Sequence, residues 1–122
     1  MVVDDRADAA WMLGQMLDAL GHETRVFNSA TEALAEFEHM QPAVALLDLG
    51  MPDIGGLELA ARLRAAGHDD TLLVAVTGWG QPQDRENTHA AGFDVHLVKP
   101  IQLSDLVAAL ASRAGPGDMK TR

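Results

Sequence analysis

Four short apolar runs, each closed by polar residues, constrain the fold of this chain most strongly. Continuous runs of this length predict buried strands of a parallel sheet, because strands covered on both faces need no polar face. The residues that close the runs are therefore expected at the carboxyl ends of neighbouring strands. The runs are Met1–Val3 before Asp4 and Asp5, Val44–Leu47 before Asp48, Leu72–Val76 before Thr77, and Val95–Val98 before Lys99.

The segments between these runs carry helix signals. Apolar residues at three- and four-residue spacing predict a first helix over residues 7–20, which Gly21 ends. Ser29 and Glu32 form the S-x-x-E pattern of a capping box, so a second helix is predicted to begin at Ser29. Three further helices are predicted over 57–66, over 82–91, and from Ser104 or a near neighbour to about Ala114. The remaining strands are predicted over 22–27 and 93–98.

Five strands that alternate with five helices predict a single α/β domain with helices on both faces of a parallel sheet. The predicted fold is flavodoxin-like: a doubly wound, five-stranded sheet with the strand order 2-1-3-4-5. Residues 1–114 form the domain, and residues 115–122 are predicted to be a disordered tail or linker. The first run is very short, as expected of a domain trimmed at its start or excised from a longer protein.

Composition excludes several classes of function. The net charge is −9, whereas a domain that binds nucleic acid usually presents a basic face, so no direct nucleic-acid partner is expected. No apolar run approaches the ~20 residues that cross a bilayer, so no membrane partner is expected. The absence of cysteine fits a reducing compartment, and we predict a cytoplasmic location.

The predicted sheet edge gathers three carboxylates, a hydroxyl and an ammonium, namely Asp4, Asp5, Asp48, Thr77 and Lys99. Two carboxylates ~4 Å apart repel each other by about 4 kcal/mol at an effective dielectric constant near 20, and one lysine offsets only part of this. A hard divalent cation, Mg²⁺ or Mn²⁺, is therefore the predicted cofactor. A strand-end carboxylate such as Asp48 can also act as a nucleophile that forms an acyl phosphate.

In this order and spacing, the motifs resemble those of the receiver domains of two-component response regulators. The motifs are Val2-Val3-Asp4-Asp5, Asp48-Leu49-Gly50-Met51-Pro52 with Gly55-Gly56, Thr77-Gly78, and Lys99-Pro100. The resemblance implies that Asp48 accepts a phosphoryl group from a phosphohistidine. It implies that Mg²⁺ is held by Asp5, Asp48 and the backbone carbonyl of Gly50, with Asp4 helping through water. It also implies that Thr77 and Lys99 contact the phosphoryl group, and that the Lys99–Pro100 bond is cis.

The resemblance extends to partners and to a switch. The implied phosphoryl donor is a sensor histidine kinase or a histidine phosphotransfer domain. A downstream protein or a neighbouring domain is expected to read the fourth helix, the fifth strand and the fifth helix. Thr77 and His96 occupy the switch positions, and His96 departs from the Tyr or Phe that is usual there. The segments 77–80 and 92–94 are similar to those of receivers in hybrid sensor histidine kinases.

Three classes of function remain open from the sequence. The full motif set favours a phosphoacceptor signalling domain that assists its own phosphorylation and dephosphorylation and is not an enzyme. A phosphorylation-independent protein-binding domain would keep the fold without using the acids. A Mg²⁺-dependent aspartyl-phosphate hydrolase would need a second acid two residues after Asp48, where Gly50 stands.

Overall fold

The computed structural model describes residues 1–51, 54–78 and 82–113. The elements are β1 (Val2–Val3), α1 (Ala7–Ala19), β2 (Val26–Phe27), α2 (Ala30–Met40), β3 (Val44–Asp48), α3 (Gly56–Ala65), β4 (Leu72–Thr77), α4 (Pro82–Ala91), β5 (Val95–Val98) and α5 (Leu103–Arg113). The strands are parallel and have the order β2-β1-β3-β4-β5. This is the flavodoxin-like fold that the sequence predicts. The predicted tail, 115–122, lies outside the described residues.

The sheet separates two apolar layers, which makes the domain doubly wound. On one face, Phe37 of α2 packs with Leu59 and Leu63 of α3. On the other face, Leu13 of α1 and Leu106 of α5 belong to a second cluster. Every residue of β3 and β4 is buried between these layers, which explains why their sequences are continuous apolar runs. Of the described helices, none combines the length and the apolar character needed to span a membrane.

The predicted cap of the second helix is confirmed. The Ser29 Oγ accepts a hydrogen bond from the backbone N–H of Glu32 at 3.3 Å, which satisfies one of the free amides at the start of α2. At the other end, Gln41 adopts the left-handed region with φ 42°, and its N–H donates to the carbonyl of Phe37. Pro42 follows and cannot continue the helix.

Two strands are shorter than predicted. β2 covers only Val26–Phe27 instead of 22–27, because β1 offers it only two residues to pair with. β5 begins at Val95 instead of residue 93. The backbone N–H of Phe93 donates to the carbonyl of Thr88 at 3.0 Å, so Phe93 belongs to the turn that closes α4.

Arg64 links the end of α3 to the residues that precede β4 and β5, at the edge of the sheet opposite the acidic residues. Its guanidinium donates to the carbonyls of His68, Thr71 and Gly92 and to the carboxylate of Asp94, at 2.6–3.0 Å. The glycine at 92 is required here, since it has φ +106° and an added Cβ would lie 2.6 Å from the Cγ of Arg64. The arginine side chain therefore ties the end of α3 to the turn between α4 and β5.

Candidate functional site

Asp4, Asp5 and Asp48 lie together at the carboxyl edge of the sheet. Val3 of β1 pairs in register with Leu47 of β3, so Asp4 and Asp48, which follow these two residues, lie side by side at this edge. One carboxylate oxygen from each of the three aspartates lies within 4.8 Å of the others. Asp4 is 1% and Asp48 8% exposed, whereas Asp5 faces solvent.

Lys99 supplies the cation of this cluster. Its Nζ lies 3.5 Å from Asp4 Oδ2 and 3.7 Å from Asp48 Oδ1. The Lys99–Pro100 peptide bond is cis, as the family resemblance implies. The backbone N–H of Lys99 donates to the carbonyl of Thr77 at 2.7 Å, which fixes the end of β5 beside the end of β4. The lysine therefore reaches across β4 to the acids that follow β1 and β3.

The site carries more negative than positive charge. Burial raises the pKa of the Asp48 carboxyl above its ordinary value, and the neighbouring Asp4 carboxylate raises it further. A hydrogen bond from the Gly50 N–H to Asp48 Oδ1, at 3.2 Å, and the charge of Lys99 oppose this shift. Three carboxylates against one ammonium leave a set of oxygen ligands that fits a hard divalent cation such as Mg²⁺.

The structure brings Thr77 to the same edge and places His96 inside β5, where it pairs with Ala75 of β4. Thr77 is buried at the end of β4, one residue beyond the Val76 that pairs with Asp48. His96 is half-buried, and its Nδ1 lies 3.2 Å from the Oγ1 of Thr88 in α4. The sequence analysis did not single out Thr88, because α4 is polar in composition and gives no sign that one of its residues is buried. In the structure Thr88 is 2% exposed.

Two hydrogen bonds between backbone and side-chain groups hold Asp4, and neither could be predicted from the sequence. The backbone N–H of Arg6 donates to Asp4 Oδ1 at 3.0 Å, and the side-chain amide of Asn28 donates to the backbone carbonyl of Asp4 at 2.9 Å. Asn28 directly follows β2, which neighbours β1 in the sheet. Its position at a strand end was the available signal, but an amide there is equally typical of an ordinary turn.

Comparison with known proteins agrees with this arrangement. The chain matches the family model of the response regulator receiver domain over residues 1–111. It is 36% identical to the two-component response regulator PhoP of Pseudomonas aeruginosa, over 90% of this chain and 48% of that protein. It is 34% identical to the virulence sensor protein BvgS of Bordetella bronchiseptica, over 99% of this chain and 10% of that protein. The chain thus spans about half of one relative and a tenth of the other.

A solved structure shares the fold closely. The CheY-like response regulator receiver domain protein from Methanospirillum hungatei JF-1 has a TM-score of 0.86 and 25% sequence identity, covering 98% of this chain and 94% of that one. Together with the family match over nearly the whole chain, this shows that the chain belongs to the response regulator receiver domains, the phosphoacceptor domains of two-component systems.

Proposed function

We propose that Asp48 is the residue that accepts the phosphoryl group. The observation that carries this proposal is the convergence of three aspartate carboxylates within 4.8 Å, with the Lys99 ammonium 3.7 Å from Asp48. Asp48 lies at the centre of this arrangement, because it is the acid that closes β3, the middle strand of the sheet. Asp4 is less accessible, with 1% of its surface exposed against 8% for Asp48.

Receiver domains generally bind Mg²⁺ at an acidic pocket, and the aspartate cluster fits that cation. In our proposal the Asp5 and Asp48 carboxylates and the backbone carbonyl of Gly50 bind Mg²⁺ directly, and Asp4 contributes through water. When bound, the cation supplies positive charge beside the phosphoryl oxygens. The exposed Asp5 leaves the pocket open to solvent on one side, which gives the cation a way in.

The proposed reaction is a phosphoryl transfer from a phosphohistidine. A carboxylate oxygen of Asp48 attacks phosphorus, a P–O bond forms, the P–N bond breaks, and the imidazole nitrogen keeps the electron pair. The Lys99 ammonium offsets charge on the phosphoryl oxygens, and the Thr77 hydroxyl donates a hydrogen bond to one of them. The product is an acyl phosphate, which makes the site more negative by roughly one unit at neutral pH.

Receiver domains interact with histidine kinases or phosphotransfer domains, and we propose one of these as the donor here. Phosphorylation is proposed to change the surface formed by α4, β5 and α5, and a downstream protein or a neighbouring domain is proposed to bind this surface. Thr77 and His96 are the proposed switch residues, since His96 contacts Thr88 of α4. The match to a sensor protein over only 10% of its length supports a receiver within a hybrid sensor kinase. A cytoplasmic location stays a prediction from the sequence.

We further propose that this signalling domain is not an enzyme that turns over external substrates. Gly50 stands two residues after Asp48, where an aspartyl-phosphate hydrolase would carry a second acid. Steady release of inorganic phosphate from small phosphomonoesters, at rates far above self-dephosphorylation, would contradict this part of the proposal.

Intact mass spectrometry after incubation with acetyl phosphate and Mg²⁺ tests the assignment of Asp48. The unsubstituted protein is expected to gain the mass of one phosphoryl group, and the gain is expected to disappear with EDTA. Asp48→Asn is expected to gain nothing. Asp69→Asn, which removes an exposed carboxylate outside the cluster, serves as the matched control and is expected to react normally. An undiminished gain in Asp48→Asn would refute the assignment.

A further inference from the structure

Within the part of the chain that the structure describes, the side chain of Asp5 has no hydrogen-bonding or ionic partner. Asp5 is exposed, and among the described residues no group donates a hydrogen bond to its carboxylate or forms an ion pair with it. Even so, one of its oxygens lies within 4.8 Å of the ligand oxygens of Asp4 and Asp48. The direction of this carboxylate therefore depends on the backbone that carries it.

That backbone is held by Asn28. The Nδ2 of Asn28 donates to the backbone carbonyl of Asp4 at 2.9 Å, across 24 positions of sequence. The Asp4 carbonyl belongs to the same planar peptide group as the Asp5 nitrogen, so fixing the oxygen also fixes the plane from which Asp5 departs. A second bond, from the Asp4 N–H to the Phe27 carbonyl at 3.0 Å, anchors the preceding peptide to the same neighbouring strand.

We propose that Asn28 is a positioning residue for the metal site. It orients the peptide between Asp4 and Asp5 so that the Asp5 carboxylate faces that of Asp48. The inference rests on the proposed function, since it concerns how the chain presents Asp5 to a divalent cation. Asn28 is exposed and belongs to neither apolar cluster, so we expect its replacement to leave the packed core intact.

The test is a titration with Mn²⁺, in which electron paramagnetic resonance measures the free aqueous ion. Asn28→Ala is expected to weaken Mn²⁺ binding by about threefold to tenfold, the change that corresponds to the loss of one net hydrogen bond. Asn87→Ala, which removes an exposed amide from α4, is the matched control and is expected to bind as the unsubstituted protein does. Equal affinity in Asn28→Ala and the unsubstituted protein would overturn the inference.

A double-mutant cycle separates positioning from a general loss of stability. If Asn28 acts through Asp5, then Asn28→Ala is expected to change Mn²⁺ affinity much less when Asp5→Asn is already present. If Asn28→Ala lowered Mn²⁺ affinity equally with and without Asp5→Asn, the inference would be overturned. It would also be overturned if the loss of affinity came from unfolding, which a thermal midpoint near the assay temperature would show. If the unsubstituted protein bound no Mn²⁺ at all, the proposed metal site itself would fail, and the inference with it.

Discussion

Replacing Asp48 by asparagine is expected to stabilise the protein when no divalent cation is present. Carboxylate oxygens of Asp4 and Asp48 lie within 4.8 Å of each other, so two unit charges there repel by about 3.5 kcal/mol or more at an effective dielectric constant near 20. The Lys99 Nζ lies 3.7 Å from Asp48 Oδ1, which corresponds to an attraction of about 4.5 kcal/mol on the same scale. These two effects nearly cancel, so the cost of burying the carboxylate decides the sign.

Because burial is also the largest cause of the raised pKa of Asp48, the neutral amide is expected to be preferred at this position. We expect Asp48→Asn to increase the free energy of unfolding by about 1 kcal/mol at neutral pH in EDTA. Mg²⁺ is expected to reverse the order, because a ligand at ten times its dissociation constant stabilises the unsubstituted protein by about 1.4 kcal/mol.

Urea denaturation followed by circular dichroism measures both effects. The two proteins are compared in EDTA and in Mg²⁺, with Asp69→Asn as the control for removing an exposed carboxylate. The control is expected to stay within about 0.5 kcal/mol of the unsubstituted protein under both conditions. If Asp48→Asn were the less stable protein in EDTA by 1 kcal/mol or more (on the order of one broken hydrogen bond), the electrostatic account of the pocket would be wrong.

Three further predictions concern Lys99, the pH dependence of Asp48, and Arg64. Lys99→Met is expected to lower the free energy of unfolding in EDTA by about 2 kcal/mol, since two carboxylates lose their cation; a change near zero by urea denaturation would contradict this. Because the pKa of Asp48 is raised in the folded protein, the stability that this residue contributes is present below the ordinary aspartate pKa and is lost as pH rises through the folded-state pKa. The difference in free energy of unfolding between Asp48→Asn and the unsubstituted protein should therefore narrow from pH 7 toward about pH 4. A difference that widens over this range would show that the pKa is lowered instead. Arg64→Gln is expected to lower the free energy of unfolding by about 3 kcal/mol, because several hydrogen bonds are lost. The control is Arg62→Gln, at an exposed neighbouring position, which should lower it by less than about 0.5 kcal/mol. Similar thermal midpoints for both variants would refute the bridging role of Arg64.

The architecture could be predicted because each element of this fold carries a local signal. The apolar runs that became β3 and β4 are buried on both faces, and the capping pattern at Ser29 marks the start of α2. The length of β2 could not be predicted, because it depends on how many residues of β1 are available as partners. Strand length at a sheet edge is a property of the pairing, and no single segment encodes it.

The acids and the lysine of the site could be located because the carboxyl ends of parallel strands share one edge. Asn28 and Arg64 could not, because both act on backbone carbonyls that are distant in sequence. An amide after a strand and an arginine within a helix look like ordinary surface residues until the fold shows what they face. The direction of the Asp48 pKa shift also depends on the folded structure, since burial and Asp4 raise the pKa while the Gly50 hydrogen bond and Lys99 lower it.

A crystal structure with Mg²⁺ and beryllofluoride, which mimics a phosphoryl group on a carboxylate, tests the central claim most directly. The account predicts beryllofluoride on an oxygen of Asp48, Mg²⁺ bound by Asp5, Asp48 and the Gly50 carbonyl, and the Lys99 ammonium beside the fluorine atoms. Beryllofluoride on a different residue, or Mg²⁺ bound away from the three aspartates, would contradict it.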